Sequence, residues 1–95
     1  MSGVIAVAVS TDAVAYDVGA GGCTLYGWSV VQTGGAAGRF QLRVDSASGA
    51  VLADEWCVAT NGTSQQWFGP QGVRCQGDLW FENVSGTFAG VVYVG

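Results

Sequence analysis

Glycine is the residue that most restricts what this chain can fold into. Sixteen of the 95 residues are glycine, and they interrupt almost every window long enough for a helix of several turns. A glycine inside a helix costs about 1 kcal/mol relative to alanine, and the other good helix formers are sparse here. The sequence therefore predicts no helix, and it favours short strands joined by turns.

Alternation of apolar and polar residues indicates where the strands lie. In the segment 39–45, Phe40, Leu42 and Val44 share one face, and the polar residues between them share the other. Turn signals such as Asn61-Gly62 separate this segment from others like it. The strands are predicted over 4–9, 13–18, 23–32, 39–45, 50–59, 65–68, 73–75, 79–84 and 87–94.

About eight or nine short strands with regular turn signals are typical of an all-β domain, an antiparallel β-sandwich or small barrel. We expect a single domain over 1–95, with 1–18 as an N-terminal strand or arm. The last strand is apolar on both faces between 88 and 94. It is therefore predicted to lie centrally in a sheet or under a partner.

Charge is scarce in this chain. Charged residues make up 11% of it, against about 25% in an ordinary soluble domain. A fold of this size exposes roughly 5,000 Å², so the charges are spread at about half the usual density. Large uncharged patches are expected as a result. Large apolar patches mark partner surfaces or aggregation hazards, and we therefore expect the chain to work inside an assembly.

The same composition argues against several classes of function. With a net charge of −4 and no lysine, the chain is not expected to bind nucleic acid or a membrane surface. The apolar start has no basic segment before it and reads as a strand more readily than as a signal peptide. Three cysteines, without a CxxC motif or any histidine, indicate reduced structural thiols and no metal site.

Catalytic groups are also lacking, and we expect neither an enzyme nor a cofactor. Without histidine or lysine, a serine or cysteine nucleophile has no ordinary base. Asp54, Glu55, Asp78 and Glu82 are the candidate carboxylates for glycoside cleavage. Asp54 and Glu55 are adjacent on a strand and should point to opposite faces, so solvated edge carboxylates are the favoured interpretation.

The tryptophans are the remaining candidates for function. Large rings fill cores or anchor partners, and we expect Trp28 and Trp80 in the core. Trp67 and Phe68 precede a Gly-Pro turn, where core packing and an exposed partner interface are equal alternatives. If Trp56 and Trp67 share an exposed face, they could stack on sugar rings.

The N-terminal apolar residues Val4, Ile5, Val7 and Val9 are further candidates for a partner interface. They could form an arm that adds a strand to the sheet of a neighbouring subunit. They could equally form an ordinary edge strand of their own sandwich.

Several segments resemble small all-β virion proteins of tailed bacteriophages that infect actinobacterial hosts. The likeness spans roughly 23–94 and is carried by LYGW at 25–28, SASG at 46–49, WFGPQGV at 67–73, DLW at 78–80 and VSGT at 84–87. It implies a non-enzymatic structural protein that decorates, or cements, a capsid shell as a symmetric oligomer. The implied partners are the major capsid protein or other virion subunits, and the implied location is the virion, assembled in the host cytoplasm.

The resemblance includes no defining site motif, so it assigns no functional residue in this chain. It also leaves open where on the virion the protein sits. A carbohydrate-binding or host-adhesion β-sandwich module is the alternative function.

Overall fold

The computed structural model describes residues 4–9, 15–19, 22–46, 48–58 and 60–95, and within these ranges the chain is all-β. The predicted strands are all present, with boundaries within a few residues of those expected from alternation. The first four are β1 (Ile5–Val9), β2 (Ala15–Gly19), β3 (Cys23–Gln32) and β4 (Gly38–Val44). The others are β5 (Val51–Cys57), β6 (Gly62–Trp67), β7 (Val73–Cys75), β8 (Leu79–Ser85) and β9 (Phe88–Val94). None of the described residues belongs to a helix that could cross a membrane.

The strands form two antiparallel sheets. One has the order β1-β9-β3-β6 with β7 also paired to β3, and the other has the order β2-β8-β4-β5. We call them the five-stranded and the four-stranded sheet. As predicted, β9 is central, between β1 and β3.

The pairing follows one simple rule. β4 pairs with β5, β3 with β6 and β7, β2 with β8, and β1 with β9, as in a single long hairpin whose tip lies between β4 and β5. Folding such a hairpin over into two sheets gives the jelly-roll arrangement of an antiparallel sandwich. The first and last strands, β1 and β9, thereby become neighbours in the five-stranded sheet.

Aromatic rings from both sheets meet in one core. Phe40 and Phe81 of the four-stranded sheet are fully buried and stack with their ring centroids 5.1 Å apart. Across the interface, Phe40 meets Phe88 edge-on at 5.4 Å and Trp28 at 6.2 Å. Burying such a side chain contributes about 1.5–3 kcal/mol, so this contact between the sheets is a main source of stability.

A chain of hydrogen bonds joins the sheets at one end of the core. The Trp28 indole donates to the Ser64 hydroxyl at 2.9 Å, and that hydroxyl donates to a Glu55 carboxylate oxygen at 2.9 Å. Trp28 and Ser64 belong to the five-stranded sheet and Glu55 to the four-stranded one. A polar side chain at this depth needs such partners, because an unpaired one would cost about 1–3 kcal/mol.

A β-bulge in β3 changes the side of the sheet on which its aromatic residues lie. The register with β9 shifts between Leu25 and Gly27, so both Leu25 and Trp28 face the core although they are three residues apart. Tyr26 is thereby placed against Trp67, which lies on the outward face. The simple alternation that puts Tyr26 on the same side as Trp28 is therefore wrong at this point.

Candidate functional site

The outward face of the five-stranded sheet is the candidate site. Its residues lie in neighbouring strands and are opposite one another in the register. Small and apolar side chains predominate. We call this surface the uncharged face, and it consists of Ala6 and Ala8 of β1, Ala89, Val91 and Tyr93 of β9, Gly27, Ser29 and Val31 of β3, and Thr63, Gln65 and Trp67 of β6.

No aspartate, glutamate or arginine occurs in β1, β3, β6 or β9. The five-stranded sheet has one charged residue, Arg74, on the short strand β7. The sequence has few charged residues, and the fold leaves one outward side of the molecule almost without them. An uncharged surface can be covered by another molecule without the large cost of removing ions from water.

Three aromatic rings cluster at one end of the uncharged face. We call Tyr26, Trp67 and Tyr93 the ring cluster. Tyr26 stacks on Trp67 with centroids 6.0 Å apart, and Tyr93 meets Trp67 edge-on at 6.2 Å. Trp67 contacts both of the other rings, yet 55% of the residue is exposed.

A shallow depression of about 430 Å³ lies beside these rings. Its walls include Trp67 and Tyr93, and Ser29, Gln65 and Gln66 also line it. The Ser29 hydroxyl and the Gln65 amide, which lie on the outward face, make no hydrogen bond to another described residue. The depression therefore combines aromatic surface with free neutral donors and acceptors.

The outward face of the four-stranded sheet is chemically different. We call it the ion-pair face. Arg39 donates from Nε to an Asp54 oxygen at 2.7 Å, and Arg43 donates from Nε to a Glu82 oxygen at 2.7 Å. The Gln41 amide connects the two pairs, because its nitrogen donates to Asp54 and its oxygen accepts from Arg43. Most of the charge in the described strands is thus paired on this face.

The hydrogen bond from Arg39 lowers the pKa of Asp54 to about 2, and the Gln41 amide acts in the same direction. Glu55, the next residue, lies on the other side of the strand and accepts the hydrogen bond from Ser64. The prediction that these adjacent carboxylates point to opposite faces is confirmed. Glu55 is half-buried and bonded, so it is not one of the solvated edge carboxylates that the sequence favoured.

The two tryptophans proposed for sugar stacking do not share a face. Trp56 lies on the ion-pair face, 66% exposed, with the Arg39 guanidinium 5.5 Å from its ring centroid. Trp67 lies on the uncharged face. The partners of Trp67 are Tyr26 and Tyr93, which the sequence did not single out. The glycine in the LYGW segment was the one local sign of the bulge that brings Tyr26 there.

Phe68 follows β6, and its position is intermediate between core packing and an exposed partner interface. Its ring meets Trp28 edge-on at 5.8 Å, while 39% of the residue stays exposed. Phe68 therefore covers one end of the core and still presents an edge to the surface.

The core assignment is confirmed for Trp28 and wrong for Trp80. Trp28 is buried between the sheets. Trp80 alternates on β8 with Leu79 and Phe81, both fully buried, so its own ring lies on the outward side and is half-buried. Three consecutive apolar residues give alternation no polar residue by which to choose the inward face.

The N-terminal candidates lie at the edge of the five-stranded sheet. β1 pairs with β9 over five consecutive residues, from Ile5 opposite Val94 to Val9 opposite Gly90. β1 is therefore an edge strand of its own sandwich, which is one of the two alternatives considered for this segment. Val9 is buried and Val7 packs against the core, whereas Val4 and Ile5 are 48% and 58% exposed. Residues 1–3 and 10–14 of the expected arm lie outside the described residues.

The three cysteines are free thiols. Cys23 lies directly opposite Cys75 in the β3–β7 pair, and burial together with this neighbour raises the pKa of Cys23 to about 12. Burial also raises the pKa of Cys57 and Cys75. Thiols with raised pKa values are poor nucleophiles and poor metal ligands at neutral pH. No group of three or more metal-binding side chains is assembled among the described residues.

Comparison with protein-family models, curated proteins and solved structures finds no match to this chain.

Proposed function

We propose that this protein is a non-enzymatic structural component of a bacteriophage virion, a decoration protein that stabilises the capsid shell. We also propose that copies of the chain join through the edge of β1. The observation that carries the proposal is the unequal distribution of charge over the two outward faces. Jelly-roll sandwiches recur in viral capsid proteins, which supports the virion setting by analogy of fold.

The β1 edge is suited to pairing with a second copy. Exposed strand edges are normally protected by charge, proline or a bulge. β2 carries Asp17 and a bulge, and β5 carries Asp54 and Glu55. β1 has none of these features, and its register with β9 is regular.

Pairing of two β1 edges would extend the uncharged face. One copy offers the four strands β1, β9, β3 and β6 on this side, which is about 19 Å of width. Two copies would place eight uncharged strands side by side, about 38 Å wide, for contact with shell subunits. Val4 and Ile5, which are exposed at the same edge, would gain cover.

The assembly is tested by the mass of the purified protein in solution. We expect a mass at least twice that of the 9.7 kDa chain, from sedimentation or light scattering. The double variant Ala6→Glu/Ala8→Glu places two carboxylates at the β1 edge and should return the protein to the monomer. A wild-type monomer, or a double variant that still assembles, would overturn the homo-oligomer.

A matched control separates the position of the charge from the charge itself. Val84→Glu/Gln76→Glu adds the same two charges at exposed positions outside the uncharged face, and the assembly should persist. The virion role needs its own measurement, because oligomers occur in many settings. Peptide mass spectrometry of purified phage particles should detect the chain beside the shell proteins, and its absence from the particles would contradict that role.

A further inference from the structure

We propose that the ring cluster and the depression beside it form a binding site for a neutral sugar. The site is centred on Trp67 of β6, and it extends to Tyr93 of β9, which lies opposite Ala6 of β1. It is a second activity and does not depend on the virion role.

The ring cluster offers an open aromatic surface that is already in position. The C–H groups of a sugar ring pack well against the face of an aromatic ring. Trp67 keeps 55% of its surface exposed although Tyr26 stacks on it and Tyr93 abuts it. The Phe68 amide donates to the Tyr26 carbonyl at 2.9 Å and fixes the chain directly after Trp67. The rings therefore need little reordering when a ligand arrives.

Neutral polar groups surround the same depression. Ser29 and Gln65 lie opposite each other on the outward face and line it, and their side chains form no hydrogen bond to another described residue. Hydroxyl and amide groups both donate and accept, which matches the hydroxyl groups of a sugar. The volume of about 430 Å³ falls within the usual range for small-molecule sites and accommodates one or two sugar rings.

The absence of charge in the site decides which kind of sugar it takes. No carboxylate or guanidinium is among the residues that line the depression. The chain as a whole carries a net charge of −4. An acidic sugar would find no cation there and would be repelled by the molecule, so the site selects neutral glycans.

The test is a titration of the purified full-length protein with three probes, followed by NMR and calorimetry. Maltotriose and chitotriose serve as neutral probes, and a trigalacturonate serves as the acidic probe. We expect saturable binding of at least one neutral probe, with a Kd between about 0.1 and 5 mM, and no binding of the acidic probe. The indole N–H resonance of Trp67 should shift during the titration.

Two matched variants locate the site. Trp67→Ala should weaken binding by about tenfold or more, because one stacking ring is removed. Trp56→Ala removes an equally exposed tryptophan from the ion-pair face and should change the affinity less than about twofold. Gln65→Ala should lower the affinity by an intermediate factor.

The outcomes that overturn the sugar site are equally definite. One is the lack of binding of both neutral probes at about 10 mM, and another is unchanged binding by Trp67→Ala. Equal losses in Trp56→Ala and Trp67→Ala would also overturn it. Ala8→Glu charges the β1 edge opposite Val91, outside the ring cluster, so sugar binding by that single variant shows whether the sugar site and the assembly fail separately.

Discussion

The two outward faces of this sandwich are built on the same scaffold and have opposite chemistry. Each belongs to an antiparallel sheet whose inward side chains pack into one shared core. On the ion-pair face, Arg39, Asp54, Arg43 and Glu82 are joined through Gln41. The uncharged face has alanine, valine and hydroxyl or amide side chains in the same kind of outward position, with the ring cluster at its end.

The difference teaches that low charge content need not mean a uniformly uncharged surface. The ion-pair face meets water with groups that water solvates well, and those groups also hold neighbouring strands together. The uncharged face contributes no ion pairs and can be covered without stripping water from an ion. One face thus links its strands through ion pairs, while the other has no charged side chain in β1, β3, β6 or β9.

The largest loss of stability should come from a substitution at Gly27, which lies opposite Trp67 at one end of the β3–β6 pairing. Gly27 has a φ of +153°, and a Cβ there would lie 2.0 Å from the Gln66 carbonyl oxygen. Gly27→Ala would force the backbones of β3 and β6 apart, and we expect a loss of about 2–3 kcal/mol in the free energy of unfolding. Urea denaturation measures it.

The matched control for Gly27→Ala is Gly35→Ala. No atom lies within 4 Å of a Cβ at Gly35, so this variant should be neutral or slightly more stable. If the two variants had equal free energies of unfolding, a side chain at position 27 would be tolerated, and the close approach of β3 to β6 would not be needed for stability.

A smaller effect is expected on the ion-pair face. The Arg43 guanidinium donates to Glu82 at 2.7 Å, to the Gly49 carbonyl at 2.7 Å and to Gln41 at 2.8 Å. Arg43→Met keeps much of the stem but removes all three bonds, and should cost about 1–2 kcal/mol because the site is partly buried. Chemical denaturation measures the loss in the free energy of unfolding, and its comparison at low and high salt gives the share that comes from the ion pair.

Arg74→Met is the control for Arg43→Met, since it removes the same charge. Arg74 is exposed and forms no ion pair with a described residue, so its loss should change stability by less than about 0.5 kcal/mol. If Arg74→Met proved as costly as Arg43→Met, net charge would explain the effect and the ion-pair face would have no special role.

The sequence predicted the strands well because alternation and turn residues are local signals. The segment from Phe40 to Val44 shows this, since the residues between its apolar positions are polar and one register satisfies them all. Alternation failed at Tyr26, where one extra residue in the bulge reversed the face. It also failed at Trp80, where both flanking residues are apolar.

The candidate site was harder to predict because it depends on which strands become neighbours. Trp67 was singled out from its local setting, but Tyr26 and Tyr93 lie 41 and 26 residues from it in the chain and meet it only through the pairing of β3 with β6 and β9. Trp56 is closer in sequence, yet it belongs to the other sheet. Sheet membership is set by the folding of the long hairpin, which no single segment encodes.

The smallest expected effect concerns the titration of Asp54 on the ion-pair face. Its pKa is lowered from an ordinary 3.8 to about 2, chiefly by the hydrogen bond from Arg39. A pKa that is lower in the folded state means that the ionised form stabilises the fold. That contribution is complete above pH 3.8 and is lost as the pH falls toward 2.

The side-chain carboxyl carbon shift of Asp54, followed by NMR against pH, should therefore have its midpoint near 2 in the wild type and move up toward 3.8 in Arg39→Gln. Arg74→Gln removes the same charge at a distance and should leave the midpoint unchanged. If Arg39→Gln kept the midpoint near 2, the pairing of Arg39 with Asp54 would not control this carboxylate. Another group on the ion-pair face would then have to lower the pKa of Asp54, and the Gln41 amide would be the next group to substitute.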